Sequence, residues 1–282
     1  MVNSARLIGP SIAGIVIALA GEGACFLIDA FSYLAVIGSL LMMRTMRSTG
    51  REHKNVWSEL KDGFDYVYRF SPVRSILLLL ISLNILGVPY SVLLPVFASD
   101  VLHGGPHTLG FLTSAAGLGA LASAITLAMR RTIVGLGRVI CITALIFGFC
   151  LMLFGLSRWM WLSLPLMVVV GFTMMQQMSA SNTIMQTIVD ENKRGRVMSF
   201  YTMSFIGVAP FGSLLIGVSA RTLGASRAVI LGGLLFMIVA VWFTRQLKTI
   251  RNVVRPIYVR LGILPEVAEG IQAASALQTP PQ

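Results

Sequence analysis

The sequence predicts an all-α polytopic membrane protein, and three observations support this. Of the 282 residues, 56% are hydrophobic and only 12% are charged, whereas soluble domains carry roughly 25% charged residues. The mean hydropathy is +0.81. Uncharged stretches of about 20 residues, the length that a helix needs to cross the hydrocarbon core, recur along the chain. A single soluble domain is therefore excluded.

Eight uncharged or nearly uncharged segments are each interpreted as a transmembrane helix. They are residues 7–20, 24–43, 76–98, 109–129, 133–157, 159–181, 197–220 and 228–244. Asp29 lies inside the second segment and Arg138 lies near the start of the fifth, while the other six contain no Asp, Glu, Lys or Arg. The sequence thus predicts about eight transmembrane helices.

The distribution of basic residues predicts the orientation of these helices. If the segments cross the membrane in turn, one side carries 19 of the 22 Lys and Arg residues, and the other carries only Arg158, Arg221 and Arg227. Lys and Arg in short loops stay on the cytoplasmic side. We therefore predict a multi-pass protein of the bacterial inner or plasma membrane with both termini cytoplasmic. The net charge of +11 is attributed to this orientation and to contact with membrane lipids, so nucleic acid is not an expected partner.

Two segments outside the predicted spans have their own patterns. Between Arg44 and Arg74, apolar side chains recur at helical spacing opposite acidic and basic ones, which predicts a helix on the cytoplasmic interface that ends before Pro72. The tail after Arg245 is basic as far as Arg260 and then polar and rich in small residues. We expect this tail to have no fixed structure.

An internal repeat relates the two ends of the membrane region. Gly9-Pro10 and Ala209-Pro210 are each followed by glycines, a short outer loop, a second span and a basic stop, at Arg44 and at Arg245. The distance from proline to arginine is 34 residues in the first copy and 35 in the second. Transporters are often built from such repeats.

Short motifs within this repeat resemble those of one transporter family. Asn3, Arg6, Gly9, Pro10 and Gly14 resemble the fifth-helix signature of exporters in the major facilitator superfamily, and residues 26–33 resemble the start of their sixth helix. Three further motifs are similar to the branch that contains the enterobactin exporter: residues 57–64, residues 94–98, and Gln186 with residues 194–198.

The resemblance implies a partial major-facilitator fold that lacks the first four of twelve helices. Residues 1–45 would be the last two helices of the N-terminal half, 46–75 a cytoplasmic linker with an interfacial helix, 76–248 the six-helix C-terminal half and 249–282 a cytoplasmic tail. To enclose a cavity, such a chain would be expected to self-associate or to recruit the missing N-terminal half.

The candidate transport motif comprises Arg6, Gly9, Pro10, Gly14 and Asp29. In the resembled family the Gly-Pro element seals its helix against the partner half and accompanies antiport. The alternative is an ordinary proline kink beside a snorkelling arginine. Asp29, the only acid well inside a span, is either a proton carrier or a structural acceptor of hydrogen bonds.

Polar residues in other spans are candidates for the substrate pathway. They are Asn84, Gln176, Gln177, Asn182 and Gln186. A polar stripe of this kind either lines a pathway or ties helices together through hydrogen bonds. In the short loop that follows, Asp190, Arg194, Gly195 and Arg196 are interpreted as a cytoplasmic gate that closes the inner face; their alternative role is to fix topology.

No enzymatic pattern accompanies these candidates. The three histidines all lie in loops, and the three cysteines lie inside apolar stretches. Hence we predict that the chain is not an enzyme and has neither a metal site nor a cofactor. The leading hypothesis is a secondary transporter that exports a small amphiphilic compound, such as a siderophore or drug, in exchange for protons. The alternative is a truncated non-transporting or accessory membrane fragment.

Overall fold

A computed structural model describes residues 27–28, 30–39, 41–42, 56–130 and 132–260. The chain divides into two units, Met1–Val56 and Trp57–Gln282. The predicted first span, 7–20, lies outside the described residues. Within the described part of the first unit, residues Ala30–Ser39 form a short apolar helix, α1.

The described part of the chain from Val56 onward contains nine α-helices. They are α2 (Val56–Arg69), α3 (Ser71–Ser82), α4 (Tyr90–Val96), α5 (Pro106–Ala128), α6 (Leu136–Leu156), α7 (Met160–Ile188), α8 (Glu191–Ile206), α9 (Ala209–Leu223) and α10 (Ala225–Arg260). Among the described residues, six helical segments are long and apolar enough to cross a membrane: Ser71–Val101, Pro106–Ala128, Leu136–Leu156, Met160–Ile188, Glu191–Leu223 and Ala225–Leu247. The all-α polytopic fold predicted from the sequence is confirmed.

The first of these spans contains two wider helical turns, one within it and one at its end. Between α3 and α4 the chain forms a π-helical turn at Leu83–Gly87, and after α4 a second one at Phe97–Val101. Pro89 follows the first turn and directly precedes α4. A proline cannot donate a backbone hydrogen bond, so the regular helical ladder cannot continue through it.

The C-terminal end of α10 differs from the prediction. Residues after Arg245 were expected to have no fixed structure, but α10 continues to Arg260. Ile250, Val254 and Tyr258 are buried and recur every four residues, so they form one apolar stripe along the helix. The prediction that the basic tail has no fixed structure is therefore wrong up to Arg260, because burial of this stripe stabilises the helix.

Close helix crossings position the polar residues of α7. A Cβ on Gly119 of α5 would collide with the backbone carbonyl of Val168, and a Cβ on Gly171 of α7 would collide with that of Ala116. Glycine at both positions lets the two backbones touch, as small residues do in membrane helix packing.

Candidate functional site

The predicted transport motif lies in the part of the chain that the structure does not describe. This holds for all five of its residues: Arg6, Gly9, Pro10, Gly14 and Asp29. Their roles stay predictions.

The first α7 glutamine contributes to helix packing. Gln176 is buried, and its Oε1 accepts a hydrogen bond from Ser123 Oγ of α5 at 2.8 Å. This bond lies within the close α5–α7 crossing made possible by Gly119 and Gly171. Gln176 therefore ties two helices together, whether or not it also faces a pathway.

The next glutamine has no such partner. Gln177 has 0% of its surface exposed, and both polar atoms of its amide lack a hydrogen-bond partner among the described residues. One turn further along α7, the buried hydroxyl of Ser181 is also unpaired within the described part of the chain. A buried polar group without a partner costs about 1–3 kcal/mol. Sequence inspection missed Ser181, although its spacing of four from Gln177 places both on one face.

The remaining pathway candidates are not brought together with Gln177. Asn182 Oδ1 accepts a hydrogen bond from Gln186 Nε2 at 3.0 Å, and Gln186 is exposed. Asn84 is buried in the first π-turn, where its Nδ2 donates to the carbonyl of Leu80 at 2.9 Å. The polar residues are thus divided between separate environments.

The candidate cytoplasmic gate connects α8 to α2. Arg196 Nη1 lies 3.4 Å from Asp62 Oδ2, with side chains 31% and 55% exposed. Gly63, the neighbour of Asp62, packs against the ring of Phe200, which lies 2.9 Å from the position a Cβ would occupy. We refer to the contacts of Asp62 and Gly63 with Arg196 and Phe200 as the α2–α8 latch.

The other predicted gate residues have different surroundings. Arg194 Nη1 lies 3.9 Å from Glu191 Oε1 within α8, where both side chains are well exposed. Gly195 faces open space. A Cβ built on it has no heavy atom within 4 Å, apart from its own helix backbone and its two chain neighbours. Asp190 directly precedes α8, and its side chain makes no capping hydrogen bond.

Tyr66 of α2 connects the same loop to the latch. Lys193 Nζ lies 4.6 Å from the centroid of its ring. Burial raises the pKa of Tyr66, and the negative charge of Asp190 raises this pKa further, whereas a backbone hydrogen bond with Asp190 lowers it. The phenol is therefore neutral at physiological pH. Sequence analysis did not identify Asp62 or Tyr66 as partners of the loop.

Comparison with known proteins identifies the family. The profile of a family described as transmembrane secretion effector matches residues 1–254. The chain belongs to the major facilitator superfamily. It is 24% identical over 253 residues to a staphyloferrin A transporter of Staphylococcus aureus, covering 88% of this chain and 63% of that protein. The multidrug efflux pump Tap of Mycolicibacterium fortuitum is 24% identical over 252 residues, covering 86% of this chain and 61% of the pump.

An uncharacterised major-facilitator transporter of Bacillus subtilis, YfmI, is likewise 24% identical over 250 residues, covering 86% of this chain and 61% of that protein. The chain thus spans about three fifths of the length of these relatives. All are transporters, which confirms the predictions of a membrane transporter family and of a protein that is not an enzyme.

Proposed function

We propose that this major-facilitator chain works in secondary active export of a small amphiphilic compound, such as a siderophore or a drug, in exchange for protons. The named activities of two relatives, staphyloferrin A transport and multidrug efflux, support this substrate class. The observation that carries the proposal in this chain is the unpaired polar pair on α7, Gln177 and Ser181.

An amide and a hydroxyl without partners are suited to recognise a polar group on an otherwise apolar molecule. A few polar groups in an apolar surrounding are the usual composition of a small-molecule site. Helix α7 also carries six methionines, whose flexible and polarisable side chains adapt to varied apolar shapes. In this proposal, Gln177 and Ser181 gain hydrogen-bond partners when the substrate enters.

The α2–α8 latch is proposed to close the cytoplasmic face. A pair as exposed as Arg196 and Asp62 contributes only about 0–1 kcal/mol. Such a contact forms and breaks readily, as repeated opening and closing of a transporter requires. The cytoplasmic location of the latch, and of both termini, rests on the distribution of Lys and Arg.

Transport in everted membrane vesicles tests the proposal. Because the resemblance implies that these 282 residues supply only eight of twelve helices, the chain alone is not expected to transport, and the vesicles carry it as part of a complete transporter. They are given a pH gradient and a panel of siderophores and fluorescent dyes. We expect gradient-driven flux that falls when Gln177 is changed to Leu or Ser181 to Ala. The matched control is Ser219→Ala, because Ser219 is only partly buried and its hydroxyl donates to Leu215 within its own helix. If the pH gradient produces no flux of any compound in the panel, the result would contradict the proposal. It would favour the alternative, a non-transporting or accessory membrane fragment.

Proton coupling is tested separately at Asp29, the proposed proton carrier. Asn has the same shape and can form hydrogen bonds, but it cannot carry a proton. In a complete transporter that carries this segment, we expect Asp29→Asn to reduce flux driven by the pH gradient more than it reduces the amount of folded protein in the membrane. Wild-type flux in this variant would leave Asp29 with a structural role only.

A further inference from the structure

A cleft of about 570 Å³ lies between α2 and the start of α8. Three cationic side chains line it, Arg69, Lys193 and Arg196, together with the acids Asp62 and Asp65 and two aromatic rings. Its volume is within the range of roughly 300–1,000 Å³ that small-ligand sites occupy. It is separate from the polar pair on α7.

The charges in this cleft favour an anionic ligand. Asp62 is already paired with Arg196. Lys193 contacts the ring of Tyr66, and within the described part of the chain neither Lys193 nor Arg69 has a carboxylate within 4.0 Å. Two cations without a carboxylate partner therefore converge on one cleft, with Asp65 as the opposing charge.

The position of the cleft relative to the spans indicates where the anion comes from. Helix α2 ends at Arg69, two residues before the span Ser71–Val101 begins, and α8 begins the span Glu191–Leu223. Four spans lie from Ser71 to Ile188, so an even number of crossings places Ser71 and Glu191 at the same membrane surface. The cleft is thus at the level of the lipid headgroups.

Two exposed aromatic rings of α2 lie outside the charged cleft, on the helix face opposite its lining residues. Phe64 and Tyr68 are 57% and 62% exposed, and their ring centroids are 6.4 Å apart. The guanidinium of Arg74 lies 5.4 Å from the Tyr68 centroid. Aromatic side chains that have an apolar ring and a polar group, such as tyrosine, are enriched at membrane–water interfaces. This exposed aromatic face indicates that α2 lies at the membrane interface, where lipid phosphates supply the anions.

We propose that the α2–α8 cleft binds the phosphate group of an anionic phospholipid. Arg69 and Lys193 bind the phosphate through charge and hydrogen bonds, while Phe64 and Tyr68, on the opposite face of α2, keep this helix at the membrane interface. This site is independent of the transported substrate, so its failure would leave the proposed export function untouched.

Lipid binding to the purified full chain in detergent, measured by native mass spectrometry, tests the site. Phosphatidylglycerol is compared with phosphatidylcholine and with inorganic phosphate. We expect Arg69→Gln and Lys193→Gln each to weaken phosphatidylglycerol binding about fivefold, the contribution of one cation near an anionic lipid. The matched control is Arg255→Gln, an exposed cation on the cytoplasmic extension of α10, which should leave the affinity unchanged.

A third variant separates direct binding from damage to the fold. Asp65→Asn removes the opposing charge from the cleft, so it should tighten phosphatidylglycerol binding by a few-fold, a gain that misfolding cannot produce. Equal affinity for phosphatidylglycerol and phosphatidylcholine would overturn the proposal. So would an equal loss in the Arg255 variant, no gain in the Asp65 variant, or displacement of the lipid by an equal concentration of inorganic phosphate.

Discussion

Gln176 and Gln177 are neighbours in the sequence with opposite hydrogen-bonding situations. The amide of Gln176 is paired with Ser123 across a helix interface, while that of Gln177 is buried without a partner among the described residues. Substituting each by Met, which has a similar length and no strong polar group, should therefore change the stability in opposite directions.

We expect Gln177→Met to raise the free energy of unfolding by about 1–3 kcal/mol, because the unpaired buried amide is removed. Gln176→Met should lower it by a similar amount, because it breaks one bond and leaves the buried hydroxyl of Ser123 without a partner. Thermal unfolding of the two variants in one detergent measures the difference. A loss of stability in both would show that the Gln177 amide has a partner in the folded protein.

Sequence inspection identified most of the polar residues but none of their tertiary partners. Gln177 was found because an amide in an apolar helix is conspicuous, yet the sequence could not show that it is unpaired while Gln176 is bonded. Ser123 lies 53 residues before Gln176, and Asp62 lies 134 residues before Arg196. Contacts over such distances follow from how the helices cross, which hydropathy does not encode.

At the level of helices, the crossing of α5 and α7 depends on glycine at particular positions. Gly119 lies against the backbone of α7. Gly117, two residues earlier on α5, faces open space, because a Cβ built there has no heavy atom of another helix within 4 Å. Gly119→Ala should lower the free energy of unfolding by about 1–3 kcal/mol, because the added methyl group forces the helices apart.

Gly117→Ala is the control for this pair. It should leave stability unchanged or raise it by about 0.5–1 kcal/mol, because alanine favours the helix and meets nothing. Urea or thermal unfolding of both variants distinguishes the cases. Equal effects at the two positions would mean that helix propensity, and not the α5–α7 contact, determines the outcome.

Contact between α2 and α8 gives a second prediction about helix packing. Because the Phe200 ring lies 2.9 Å and the Arg196 Cβ 3.5 Å from a Cβ at Gly63, Gly63→Leu should separate the two helices. Overpacking typically destabilises a structure by about 1–3 kcal/mol. We therefore expect the α2 amides to exchange hydrogen roughly tenfold faster or more in this variant.

Gly195→Leu is the matched control on α8, since the position is open. It should leave exchange in α2 unchanged. The contradicting outcome concerns Gly63→Leu. Leucine has a higher helix propensity than glycine, so slower hydrogen exchange of the α2 amides in that variant would show that α2 is protected by its own helix propensity and not by contact with α8.

The limits of the spans show which helical features hydropathy predicts. The apolar interiors of all six described spans were located, because a run of about 20 uncharged residues is uncommon outside membrane-spanning helices. Their ends were missed by several residues at Ser71 and Glu191. The charged and polar residues in these end turns stay helical, because backbone hydrogen bonds continue past the point where the apolar pattern stops.

For the whole molecule, the alternation of the spans and the distribution of charge agree. Taking the described spans in order, the loops after Val101, Leu156 and Leu223 share one side, and those after Ala128 and Ile188 share the other with the end of α10. Arg130, Lys193, Arg194 and Arg196 lie on the second side. The positive-inside tendency then predicts that the second side faces the cytoplasm.

Cysteine labelling in intact cells tests this orientation. On a background without the native cysteines, Gly105→Cys and Gly195→Cys each place one thiol on one of the two predicted sides. Both positions have room for a side chain, because a Cβ there meets no heavy atom beyond its own chain neighbours or helix backbone. A membrane-impermeant maleimide should label position 105 in intact cells and reach position 195 only after the membrane is permeabilised. Because both sites are exposed, a difference in labelling reports sidedness and not burial. Labelling of position 195 alone in intact cells would invert the topology and would place the α2–α8 latch and the proposed lipid cleft on the outer face.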